Sequence, residues 1–271
     1  VSVIGILSVV FIAFTLQPLL FRFLIARKTR LKKVPVTMTG ILYAIYGYIY
    51  FFGFLISTTI VWSILYPLLP LKKSKKKILL HKAIYFVSRT TIYMMFMARK
   101  RFFFPPRHSF KKPAVIVSNH QSHIDIPLCL MFHPKTIVLT TDWVWYSPVI
   151  GSIVRMADFY PVSYGIDKLL PMLRERVKEG YSIFVFPEGH RSPDLEIKRF
   201  HKGAFYIADQ LELDILPMVL HGTGLYIPKG EVFGLRSSIS VRFLDRISYG
   251  DSRYREDGYK HAAKAIGQLI R

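Results

Sequence analysis

The stretch Ala114-Val115-Ile116-Val117-Ser118-Asn119-His120-Gln121-Ser122-His123-Ile124-Asp125-Ile126-Pro127 opens on four apolar residues, crosses six polar ones and closes on an acid shortly before a proline. The apolar run reads as a buried strand ending at Ser118. Pro127 is tolerated only in the first turn of a following helix, where a missing N–H has no partner to lose. On one continuous helix residues 120 and 125 would lie about 140° apart at 3.6 residues per turn. They can meet only if the chain turns between them. In such a turn Asp125 accepts a hydrogen bond from one imidazole nitrogen of His120 and fixes its tautomer. The other nitrogen is then free to take a proton from a hydroxyl. No Gly-x-Ser-x-Gly elbow supplies a serine nucleophile, so the attacking hydroxyl would belong to a substrate. An isolated histidine is ordinarily structural. A metal reading pairing His120 with His123 and His190 has no HExxH pattern behind it.

Outward from this stretch, residues 113–271 alternate short apolar runs with helical ones, the pattern of an α/β domain. Strands are expected at Ala114–Ser118, Thr136–Thr140, Ser182–Phe186, Ile215–Leu220 and Ser238–Phe243. Helices are expected at Ile126–Met131, Lys168–Glu179, Lys202–Gln210 and Tyr259–Arg271.

A second segment, Phe184-Val185-Phe186-Pro187-Glu188-Gly189-His190-Arg191-Ser192, reads as a buried strand ending at Pro187. Gly189 permits close backbone approach to a ligand. Arg191 offers a planar set of donors suited to phosphate. By itself the segment also fits a plain surface turn.

Together the two segments resemble the PlsC-type glycerolipid acyltransferases, the lysophosphatidic acid acyltransferase family. Asn119, His120 and Asp125 match its Asn-His-x4-Asp block, and Phe186 to Ser192 match Phe-Pro-Glu-Gly-Thr-Arg-Ser with His190 in place of Thr. Phe200-His201-Lys202-Gly203-Ala204 and Leu216-Pro217-Met218-Val219 resemble its later blocks, and the resemblance covers roughly residues 80–250. One block departs: Ser163 and Tyr164 stand where the family has Asp-Arg, whose Arg helps hold the acceptor phosphate. Arg155, Lys168 or Lys202 could substitute, or the acceptor could be a lyso-lipid without a phosphate, such as an aminolipid.

The rest of the chain has another character. Lys and Arg total 38 against 17 Asp and Glu, a formal net charge of +21. Residues 1–112 hold 19 of the basic residues and no acid, and the first acid is Asp125. Disorder is excluded, because it requires low hydrophobicity together with high charge. The single cysteine, Cys129, excludes an internal disulfide and a multi-cysteine zinc site. Residues 1–26 carry no charge before Arg22 and are just long enough for a transmembrane helix, the expected end of a preceding domain. This helix also resembles the last spanning helix of lipid exporters of the resistance-nodulation-division type, which implies a fusion. Residues 27–77 read as a basic linker and a membrane-inserted hairpin. Val34–Leu71 is uncharged between two basic runs, and a single crossing would put one run outside, against the positive-inside tendency. Two shorter helices broken between Gly47 and Ser57 would return the chain to one face. Residues 78–101 read as an amphipathic helix whose only charges are positive. The basic runs flank uncharged segments, so an anionic lipid surface is the expected partner and nucleic acid is not.

The expected organisation is thus membrane segments over 1–26 and 27–77, an acyltransferase domain over 78–250 and a helical segment over 251–271. The resemblance implies an α/β fold with a mixed sheet flanked by helices behind N-terminal membrane helices. It further implies transfer of a fatty acyl group from acyl carrier protein or coenzyme A to a lyso-lipid hydroxyl at the cytoplasmic face of a bacterial inner membrane. His120 would be the general base oriented by Asp125. Asn119, Glu188, Gly189, Arg191 and Lys202 would hold the acceptor, and no metal or redox cofactor is required. Alternatives are a thioester or lipid hydrolase using the same pair, and a non-catalytic membrane-anchored scaffold.

Overall fold

A computed structural model describes residues 38–95, 98–104, 107–192, 194–229, 237–251 and 258–271. The helix expected over 1–26 and the basic run at 27–33 lie outside the described residues. In chain order the elements are α1 (Met38–Leu68), α2 (Lys73–Tyr93), β1 (Ala98–Phe103), β2 (Ala114–Ser118), α3 (Asp125–Leu130), β3 (Thr136–Val138) and α4 (Asp142–Trp145). They continue with α5 (Gly151–Met156), α6 (Ile166–Lys178), β4 (Ser182–Val185), α7 (Gly203–Gln210), β5 (Asp214–His221), α8 (Thr223–Tyr226), β6 (Ser237–Phe243) and α9 (Gly258–Ile270).

Every residue of β2, β3 and β4 is buried, which explains their near-continuous apolar sequence: strands covered on both faces have no solvent side to alternate with. The six strands are ordered β1-β6-β5-β2-β4-β3. β2 pairs parallel with both β4 and β5, and β3 with β4. β6 runs antiparallel to β5 and parallel to β1. The sheet is mixed and flanked by helices, as expected. Helix α7 touches both α6 and α9, and α6, α7 and α9 pack on β4, β2 and β5 respectively. Helix α3 packs on α2, and α1 touches both α2 and α5. Leu80, Ile92, Leu128, Phe184, Phe205, Leu216 and Ile239 are among the fully buried side chains of the core.

Two expectations are corrected. The hairpin with a break between Gly47 and Ser57 is not formed, because α1 runs unbroken from Met38 to Leu68. Glycine weakens a helix interior without ending it, whereas Pro70 brings no N–H to continue one. The chain therefore reverses at 69–72 and α2 forms the second arm. The run 72–77, expected as linker, supplies the first turns of that arm. The amphipathic helix expected over 78–101 ends at Tyr93, and Ala98–Phe103 is an edge strand with alternating burial. Among the described residues no helix is long and apolar enough to cross a membrane.

The arms are fixed to the α/β unit by polar contacts. Lys77 on α2 is buried and pairs with Asp158, which Arg176 also approaches at 3.4 Å. His81, also buried, lies 3.0 Å through Nε2 from the Ala157 carbonyl oxygen. Ser63 on α1 and Ser152 on α5 join hydroxyls at 3.2 Å.

Candidate active site

The parallel strands β2, β3, β4 and β5 end at one edge of the sheet. Beyond β2 the chain goes to β3 and β4 on one side and later to β5 on the other. The crevice above β2 is therefore a topological switch point, where open α/β sheets bind ligands. The loop 119–124 leaves β2 at that point, and α3 begins at Asp125.

The turn expected between His120 and Asp125 is present. Asp125 is fully buried, and its Oδ2 accepts three N–H bonds: from His120 Nδ1 at 2.9 Å, from the Gln121 backbone at 2.7 Å and from the Ser122 backbone at 2.8 Å. The same oxygen that folds the loop thus requires the imidazole proton on Nδ1 and leaves Nε2 as the acceptor. The imidazole also lies against the Phe186 ring, with centroids 4.0 Å apart and planes 16° from parallel. The Phe-Pro-Glu-Gly segment therefore reaches the dyad through its first residue, a contact its sequence does not announce.

Two residues expected to hold the acceptor are committed elsewhere. Asn119 is fully buried and its amide closes a two-point bond with Leu220, donating to the carbonyl at 2.8 Å and accepting from the N–H at 2.9 Å. It staples the end of β2 to β5. Glu188 is buried, and its two carboxylate oxygens accept the backbone N–H groups of His120 at 2.7 Å and Lys198 at 2.8 Å. Desolvation holds its carboxyl above the ordinary range, opposed by those two bonds. Glu188 thus holds the backbone of His120, and Asn119 fixes the strand end that precedes it.

Gly189 has φ +74°, a backbone region glycine alone occupies without strain. It turns the loop so that His201 N donates to the Pro187 carbonyl at 2.7 Å and Ser192 N to the His120 carbonyl at 3.0 Å. Arg191 is half-buried beside the dyad. Burial pushes its guanidinium below the usual range, opposed by attraction to Asp125. Among the described residues no carboxylate forms an ion pair with it, which leaves a partly desolvated cation next to His120. His123 stays solvent-exposed as a residue, yet partial desolvation of its ring, with Arg191 and His120 adding repulsion, pushes its imidazole down to about 4. Lys202 is exposed just before α7, and no hydrogen bond or ion pair among the described residues joins its side chain to either motif loop.

Around the departing block, exposed Arg155 donates one of its N–H groups to the Trp145 carbonyl at 2.6 Å. Ser163 donates to Asp142, and Lys168 Nζ sits 3.9 Å above the Tyr164 ring. Among the described residues no group of three or more His, Cys, Asp or Glu side chains is placed to hold a metal ion.

Comparison with known proteins bears on the fold and the family. A solved structure of the 1-acyl-sn-glycerophosphate (LPA) acyltransferase PlsC from Thermotoga maritima superposes with a TM-score of 0.70 over 86% of this chain and 94% of that one, at 21% identity. The fold is therefore shared. The chloroplastic 1-acyl-sn-glycerol-3-phosphate acyltransferase BAT2 of Brassica napus is 37% identical over 122 residues, 44% of this chain and 36% of that protein. A Saccharomyces cerevisiae 1-acyl-sn-glycerol-3-phosphate acyltransferase is 35% identical over 147 residues, 51% of this chain and 48% of that protein. The matches span between about a third and a half of the length of these curated relatives. The acyltransferase family model matches residues 85–221, a span that holds the dyad loop, the Phe186–Ser192 turn and the Asn119–Leu220 staple. With just over half of its length inside that model, the chain belongs to the acyltransferase family.

Proposed function

We propose that this chain moves a fatty acyl group from an acyl thioester to the free hydroxyl of 1-acylglycerol 3-phosphate or a closely related lyso-lipid. The observation that carries the reading is the 2.9 Å bond from His120 Nδ1 to a buried Asp125 oxygen, which leaves Nε2 as a proton acceptor at the switch point. The acceptor hydroxyl gives its proton to Nε2 as its oxygen attacks the thioester carbonyl carbon. The tetrahedral intermediate then expels the thiolate, which takes the proton from the imidazolium. Asp125 stabilises the imidazolium formed between these steps. Arg191 meets the acceptor phosphate, and the names of the relatives support that headgroup. The donor is acyl carrier protein or coenzyme A, and the chemistry moves no electrons and needs no metal-activated water.

Membrane attachment is part of the same reading. Along α1, Ile60, Val61, Ile64, Leu65 and Leu68 are exposed at i, i+4 and i+1, i+5 spacing, and Leu68 is 72% open. Exposed Lys72, Lys73 and Lys75 follow directly. An apolar face ending in cations suits the headgroup boundary of an anionic leaflet, from which a single-chain lipid enters the site at the cytoplasmic face.

A second reading, an acceptor without a phosphate, is favoured by Ser163 and Tyr164 standing where the family resemblance places Asp-Arg. Mass spectrometry of lipids formed from a mixed lyso-lipid pool and either thioester decides between them. Phosphatidic acid as main product supports the first reading, and an acylated aminolipid the second. Acyl release that ignores the acceptor contradicts both and points to hydrolysis.

A further inference from the structure

The proposed reaction brings two substrates to one imidazole, and the protein has an opening beside the dyad loop to which α1 and α2 contribute no residue. A cleft of about 550 Å³ lies between the carboxyl end of β5, the loop 195–197 and the end of α9, with Asn119 and Leu220 at its floor. Leu195, Ile197, Val219 and Ile270 give it apolar walls, and Gln121, His221, Glu196 and Arg271 give it polar ones.

Its walls are built by the bonds that build the dyad. Gln121 lies next to His120, and its side-chain N–H donates to the Leu195 carbonyl at 2.7 Å, leaving the amide oxygen to accept from a ligand. Lys198 N is held by Glu188, whose other oxygen holds His120 N. Gly224 closes the packing: a Cβ there would stand 2.5 Å from Leu195 Cδ2 and 3.0 Å from Gln121 Cβ. Leu195 itself has φ +65°, a costly conformation for a residue with a side chain. A ligand in this cleft lies against a fixed wall and points one end at the residues flanking His120.

We propose that the cleft receives the phosphopantetheine arm of the acyl donor, a narrow chain of amides and methylenes that carries the thioester at its tip. The proposal rests on the acyl-thioester reading above. Apolar walls with a few polar groups fit such an arm, and His221 and Arg271 at the rim suit its phosphate. The end of α9 borders this cleft, and α1, α2 and α5 contribute none of its lining. The cleft therefore shares no lining residue with the arms proposed to meet the leaflet.

The arm is common to coenzyme A and acyl carrier protein, so both serve as probes with their thiols blocked as butyryl thioesters. Glu196→Cys places a thiol at the cleft. The background is low, because Cys129 is buried and desolvation raises its thiol well above the ordinary range. Maleimide labelling of the Glu196→Cys protein is expected to slow at least fivefold with butyryl-coenzyme A or with butyryl-carrier protein, and the one that protects identifies the source. A Lys178→Cys control on α6 is expected to label at an unchanged rate. Equal labelling of Glu196→Cys with and without either probe overturns the cleft assignment, as does protection by glycerol 3-phosphate instead. Acyl transfer measured on the same preparation judges the reaction separately. Where transfer occurs, Ile197→Trp is expected to raise the donor KM at least fivefold with the acceptor KM unchanged, and the reverse split also overturns the assignment.

Discussion

The Phe186 ring lies flat on the His120 imidazole, 4.0 Å between centroids, and so joins the two motif segments through their side chains as well as their backbones. Phe184 in turn meets Phe186 edge-on at 4.8 Å, which fixes the stack from below. Imidazole rotation is therefore limited on one side by Phe186 and at Nδ1 by Asp125. Aromatic pairs contribute about 0.5–1.5 kcal/mol beyond area burial. Phe186→Ala is accordingly expected to lower kcat roughly two- to tenfold with little change in either KM, and Phe186→Tyr to restore most of it. Steady-state kinetics with both substrates varied checks this.

Asn119 holds β2 to β5 by both ends of one amide. Asn119→Ala leaves the Leu220 N–H and carbonyl buried without partners, at a cost of about 1–3 kcal/mol for each orphaned group. Urea denaturation is expected to show the midpoint falling with an unchanged slope. A midpoint equal to that of the parent protein contradicts the staple.

His81 gives a pH dependence of stability apart from catalysis. Burial among Phe159, Tyr181 and the backbone pushes its imidazole down to about 4, opposed by the Ala157 carbonyl and Asp158. Between pH 6.5 and 4 the unfolded chain binds the proton and the folded one does not. The stabilisation is therefore complete above about pH 6.5 and is lost as pH falls toward 4, by about 3 kcal/mol in total. His81→Gln removes this titration, and denaturation midpoints across that range are expected to flatten.

The exposed face of α1 gives a prediction for membrane attachment. Ile64→Asp with Leu68→Asp puts two charges on that face and is expected to reduce sedimentation with anionic phosphatidylglycerol vesicles at least tenfold. Circular dichroism is expected to stay unchanged. Equal sedimentation of parent and variant contradicts attachment through α1.

Much of the α/β unit was legible because its central strands are buried on both faces: β2 has the expected bounds, and β4, β5 and β6 differ by one residue at an end or two. The edge strand β1 was not, since Arg99, Lys100 and Arg101 continue the basic pattern of α2 and an edge strand lacks a long apolar run. The reversal at 69–72 was marked by Pro67 and Pro70, but the length of α1 hid it, because an uncharged stretch gives no amphipathic period to follow. At the site, the His120–Asp125 pair could be read from spacing because both ends lie within one turn. The roles of Asn119 and Glu188 could not, because their partners Leu220 and Lys198 become neighbours only when the sheet is assembled. Pairing Phe186 with His120 likewise depends on β2 and β4 lying side by side.

The most direct measurement is the acyl-transfer rate of the His120→Ala protein, with its thermal unfolding followed on the same preparation. Loss of a general base lowers kcat by about 10²–10⁴, and the predicted result is a loss of that size with a melting temperature within a few degrees of the parent. Transfer within threefold of the parent rate in the folded variant would contradict the account.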